Sequence, residues 1–108
     1  MSARFGLTEA DIAVVIAVLQ KHPEVVEARI FGSRALGNQK PGSDVDIALS
    51  GMSLTAKVIS SISYELNEET TLPYRFDILN VASIGNQELV EHIGRVGIIL
   101  YPASVLIG

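Results

Sequence analysis

Apolar residues recur along this chain in blocks whose spacing switches from helical to alternating and back. Ile12, Val15, Ile16 and Leu19 fall at i, i+3, i+4 and i+7, which places them on one face of a helix. Thr8, with Asp11 three residues on, supplies the side chains that cap such a helix, and Pro23 stops it. Val25 to Phe31 mixes β-branched and polar residues and reads as a strand. From Gly32 to Gly42 come three glycines and Pro41, the composition of a loop, with a short helical turn expected over Ser33 to Leu36. Alternation from Asp44 to Leu49 predicts a second strand. Leu54, Val58, Ile62 and Leu66 repeat every four residues, so Ser53 to about Glu68 is expected to form an amphipathic helix. Tyr74 to Leu79 reads as a third strand. Asn86 to His92 suits a short helix with Leu89, Val90 and Ile93 inward and Gly94 near its end. Val96 to Tyr101 reads as a fourth strand closed by Pro102, and the apolar tail from Ala103 to Gly108 stays unassigned. Helices and strands in this order predict an α/β sheet domain with helices packed on the sheet.

The 108 residues suffice for one domain, taken as 1–108. An apolar fraction of 48% is high for so small a chain. Either the core is densely filled with Ile and Val, or part of the surface is buried against a partner. The net charge of −4 gives no general basic field, so strong nucleic-acid binding is not expected. With no cysteine there are no disulfides, thiolate metal sites or cysteine nucleophiles, which is compatible with a reducing cytoplasm. The first residues carry no secretory pattern, and Ile12 to Leu19 is too short to span a bilayer.

Two stretches carry chemistry. Asp44 and Asp46 flank Val45 at the start of a strand, where alternate side chains share a face. Their Cα atoms would stand roughly 7 Å apart, within reach of a shared hard cation. Left alone the two carboxylates repel, and bound Mg²⁺ would relieve that conflict. Asp-x-Asp by itself is also common on half-exposed strands. Its setting adds weight. Gly32 ends the preceding strand and Ser33 begins a helical turn, offering backbone N–H groups and a hydroxyl to an anion, with Arg34 beside them. A third acid, Asp77, lies between Phe76 and Ile78 on the third strand, where burial without a partner would be costly. It either joins the other two or forms a polar strand edge with Arg75. His22 and His92 read as helix-end or surface residues, and Lys40 as a solvated loop residue.

Gly32-Ser33, ten residues and Asp44-x-Asp46 together resemble the signature of the DNA polymerase beta nucleotidyltransferase superfamily. The fuller Gly32-Ser33-Arg34-Ala35-x-Gly37 with Ser43-Asp44-x-Asp46 is similar to its minimal nucleotidyltransferase branch, as is Leu72-Pro73-Tyr74-Arg75-Phe76-Asp77 to that branch's third-acid strand. The resemblance implies a nucleotidyltransferase fold, with a mixed central sheet of about four strands. It implies that Asp44, Asp46 and Asp77 are catalytic and bind two Mg²⁺ ions. Gly32, Ser33, Arg34 and Ser43 would bind the nucleoside triphosphate, with ATP the expected substrate. It also implies a hetero-oligomer with an all-helical HEPN-type protein, whose tyrosine would receive AMP in a toxin–antitoxin pair. Two alternatives stay open: an antitoxin that acts by contact alone, and a nucleotidyltransferase for antibiotic-like small molecules.

Overall fold

The computed structural model describes residues 3–102; the apolar tail lies outside the described residues. The chain opens with a two-stranded hairpin, β1 (Ala3–Arg4) and β2 (Leu7–Thr8), turned by Phe5 and Gly6 at positive φ. Helix α1 (Glu9–Gln20) follows at once. Thr8 accepts from the Asp11 N–H and the Asp11 carboxylate accepts from the Thr8 N–H, a reciprocal cap that satisfies two helix-start donors.

Strand β3 (Glu27–Phe31) leads through Gly32 into the single turn α2 (Ser33–Leu36), and β4 (Val45–Ser50) returns antiparallel to β3. Helix α3 (Ala56–Tyr64) runs without a break into a wider π-turn over Glu65–Glu69. The edge strand β5 (Phe76–Asn80) lies parallel to β4. Helix α4 (Gln87–Val96) and strand β6 (Ile98–Tyr101) close the fold, β6 lying antiparallel to β3. The sheet order is β5-β4-β3-β6, a mixed four-stranded sheet as expected.

Strands β3, β5 and β6 each start two residues later than expected, at Glu27, Phe76 and Ile98, and further expectations shift in detail. Helix α3 starts at Ala56 because Thr55, not Ser53, caps it by accepting from the Val58 N–H. Helix α4 continues past His92 to Val96, so Gly94 lies inside it, and Gly97 rather than Gly94 follows its end. Val90 is only partly buried.

The two sheet faces are covered unequally, and this places the site. Val45, Ile47 and Leu49 of β4, Ala28 and Ile30 of β3, and Phe76 and Ile78 of β5 point to one face. There they meet Val15, Val18 and Leu19 of α1 and Ile62 of α3. The opposite face carries a smaller cluster: Phe31, Ala48 and Ile93 of α4, with Leu79 and Leu89 packed around them. On that face α4 covers Ala48 and Leu79, whereas Asp46 and Asp77, two residues earlier on the same strands, remain in reach of solvent.

Candidate active site

The antiparallel register of β3 and β4 sets Phe31 opposite Asp46, so the turn that leaves β3 starts beside the second acid. At that turn Gly32 adopts φ +74°, ψ −153°, a backbone region open in practice only to glycine. A side chain here would also collide with the Asp46 carboxylate. Two independent constraints therefore demand glycine at this one position. Ser33 begins α2, whose first N–H groups have no partner within the turn.

In the parallel pair β4–β5, Asp46 stands opposite Asp77. Paired residues on neighbouring strands project to the same face, so Asp77 joins Asp46 rather than turning into the core. Asp44 lies just before β4, is exposed, and is two residues from Asp46. Burial, and then the charges of Asp77 and Asp44, push the Asp46 carboxyl above its ordinary value, while Arg34 acts weakly in the other direction. Asp46 thus feels both of the other acids. Among the described residues no three acidic or imidazole groups stand close enough to form a ready-made metal cage. An oxygen-only donor set of one or two carboxylates completed by substrate phosphates and water is how Mg²⁺ is ordinarily held, and these residues fit it.

Arg34 departs from the sequence expectation. It is 4% exposed and its three nitrogens donate to backbone carbonyls: Nε to Asp44 at 3.2 Å, Nη2 to Ser43 at 2.6 Å and Nη1 to Phe5 at 2.8 Å. All three of its nitrogens are thus engaged with carbonyls of the loop and the N-terminal hairpin in this structure. The Ser43 hydroxyl accepts from the Lys40 N–H at 2.8 Å, and the Ser43 N–H donates to the Lys40 carbonyl at 2.9 Å, closing a turn in front of Asp44. Lys40 itself is exposed. His22 sits at the far end of α1 beside Glu65, at 3.3 Å, away from the acids.

Two positioning residues were not singled out from sequence. Asn67 donates to the Phe76 carbonyl at 3.0 Å and accepts from the Phe76 N–H at 2.8 Å, acting as a substitute strand partner on the open edge just before Asp77. Tyr74 places its ring 5.1 Å from the Arg34 guanidinium carbon and donates its hydroxyl to Asp11 at 2.9 Å. Nothing in local spacing marks either residue, since both roles depend on partners distant in sequence.

The mixed sheet, its helices and the Gly-Ser turn facing paired acids define a nucleotidyltransferase fold. The chain belongs to the polymerase beta nucleotidyltransferase family, whose model, "Polymerase beta, Nucleotidyltransferase", matches residues 13–104. Among curated proteins none matches. Several solved structures share the fold. A toxin–antitoxin structure with AMP-PNP superposes with TM-score 0.71 at 22% identity, covering 84% of this chain and 73% of that one. The toxin–antitoxin MntA-HepT gives 0.68 at 18%, covering 91% and 75%. A structure of tri-AMPylated Shewanella oneidensis HEPN toxin in complex with MNT antitoxin gives 0.65 at 19%, covering 87% and 71%.

Proposed function

We propose that this protein transfers AMP from ATP to a hydroxyl, the acceptor being a tyrosine of an all-helical HEPN-type partner that it thereby silences. The observation that carries the reading is the pairing of Asp46 with Asp77 on one sheet face, directly beside the glycine-only turn at Gly32. Family membership supports the nucleotidyl transfer. The toxin–antitoxin complexes that share the fold, one of them with an AMPylated HEPN toxin, support the choice of a HEPN-type protein as the partner that receives AMP.

In this reading the Gly32–Ser33 turn receives the triphosphate, and Asp44, Asp46 and Asp77 would hold Mg²⁺, which when bound would supply charge neutralisation for the phosphate oxygens and for the attacking and leaving oxygens. Asp77, on the edge strand, takes the proton of the acceptor hydroxyl. The acceptor oxygen bonds to the α-phosphorus, the bond from that phosphorus to the bridging oxygen breaks, and pyrophosphate leaves. The protein's own contribution is placement and a fixed electrostatic field rather than a covalent intermediate.

The test is transfer of label from ATP labelled at the α-phosphate to a HEPN-type partner, with Mg²⁺. Wild-type protein is expected to label the partner, and Asp44→Asn/Asp46→Asn to lose labelling while still binding it. No transfer by wild type to any protein, with neutralisation surviving in the double variant, would establish an antitoxin that acts by contact. Transfer to a small hydroxylated acceptor in place of the protein would redirect the substrate class.

A further inference from the structure

We propose that Arg34 is a positioning residue that fixes the separation of the Gly32–Ser33 turn from the acid pair, and so sets how tightly a metal-bound triphosphate is held. The inference rests on the nucleotidyltransferase reading above. Arg34 sits in α2, one residue past Ser33, and its Nε reaches the Asp44 carbonyl across ten positions of sequence. One side chain therefore ties the start of the α2 turn to the first acid, bypassing the loop between them. Nη2 holds the neighbouring Ser43 carbonyl, so two successive peptide units before β4 are fixed by the same planar group.

The brace is itself anchored from two further directions. Nη1 holds the Phe5 carbonyl at the tip of the N-terminal hairpin, where a side chain on Gly6 would run into Arg34 and Gln39. The Tyr74 ring packs against the guanidinium, and its hydroxyl is fixed by Asp11, the same carboxylate that caps α1. Tyr74 is three residues before Asp77. The network thus touches the segments that lead into Asp44 and into Asp77. Among the described residues no ion pair to a carboxylate involves Arg34. Besides a longer-range attraction to Asp46, its buried charge is met by carbonyl dipoles and a ring face, which suits a planar fork with five donors and not the point charge of lysine.

A brace on the backbone of Asp44 acts on metal affinity by placing the carboxylate that this backbone carries, and the loss of outer partners at a metal site typically costs roughly 10- to 100-fold. The experiment is calorimetric titration of Mg²⁺ into protein saturated with a non-hydrolysable ATP analogue, alongside thermal melting. It compares wild type, Arg34→Lys, Tyr74→Leu and Ile62→Val, the last a trim of a fully buried core side chain on α3. Arg34→Lys is expected to weaken Mg²⁺ binding by roughly 10- to 100-fold. Tyr74→Leu is expected to weaken it roughly 2- to 5-fold, the equivalent of one cation–π contact. Ile62→Val is expected to lower the melting temperature with Mg²⁺ affinity unchanged. Wild-type affinity in folded Arg34→Lys, or an equal loss in Ile62→Val, would overturn the inference. If Arg34→Lys does not fold, Tyr74→Leu decides the matter by the same criterion. A wild type that binds no Mg²⁺ with the analogue overturns the nucleotidyltransferase reading itself, and the inference with it.

Discussion

Gly32 and Asp46 constrain each other at the centre of the site. The backbone at Gly32 is one that side chains rarely adopt, and any Cβ would enter the space of the Asp46 carboxylate. Gly32→Ala is therefore expected to cost about 1–3 kcal/mol of stability from backbone strain. Its effect on transfer should be larger, on the order of 100-fold, because an ångström-scale shift at a reacting centre costs that much. Melting curves and single-turnover labelling separate the two effects. Asp46 also gives a pH prediction. Its carboxyl is raised above the ordinary 3.8 by burial and by its acidic neighbours, so the folded state holds that proton more tightly than the unfolded chain does. The resulting stabilisation is complete below the ordinary value and is lost as pH rises through the raised one. In metal-free protein, Asp46→Asn should accordingly raise the melting temperature at neutral pH and lessen the decline of stability between acid and neutral pH. An unchanged melting profile would show that neither burial nor the neighbouring acids disfavour the Asp46 charge.

Among the elements, the passage from α3 into β5 departs most from the periodicity of the sequence. Spacing by four predicts one uniform helix, and Leu66 is buried as that spacing requires. Yet the helix widens after Tyr64, and Asn67 meets the backbone of Phe76 on the open side of the edge strand. Local spacing cannot reveal the Asn67 contact, because its partner lies nine residues away. Asn67→Ala leaves the N–H and the carbonyl of Phe76 without those partners, at an expected cost of about 1–3 kcal/mol. It should also reduce transfer by loosening the strand that carries Asp77, with protection of the β5 amides from hydrogen exchange falling in parallel. At the other end, Thr8→Ala removes the cap that both pattern and structure assign to α1, at about 1 kcal/mol, measurable by denaturant unfolding. That cap was legible because all its parts lie within four residues.

For the molecule as a whole, the decisive feature is a sheet buried on one face and half open on the other. The larger cluster unites α1, α3 and all four strands of the central sheet, so Ile62→Ala, at a fully buried position, should cost about 2–5 kcal/mol. A ligand bound on the open half-face would stabilise the fold by mass action. Mg²⁺ with ATP is expected to raise the wild-type melting temperature and to leave Asp44→Asn/Asp46→Asn unmoved, a contrast that thermal-shift measurements would reveal. Elsewhere Val26 and Met52 are strongly exposed, so the high apolar content divides between a dense core and residual surface. No helix among the described residues is long and apolar enough to cross a membrane.

Apart from the N-terminal hairpin, which the pattern did not predict, element order, the main core positions and the motif residues could be read directly from the chain, because periodicity, caps and glycine-rich turns are properties of neighbours in sequence. Tertiary structure alone decided the rest. It paired Asp77 with Asp46, turned Arg34 inward as a brace and recruited Asn67 and Tyr74 from distant segments. Each of those outcomes depends on strand register and on which half of the sheet α4 leaves uncovered, and these emerge only when the whole chain packs.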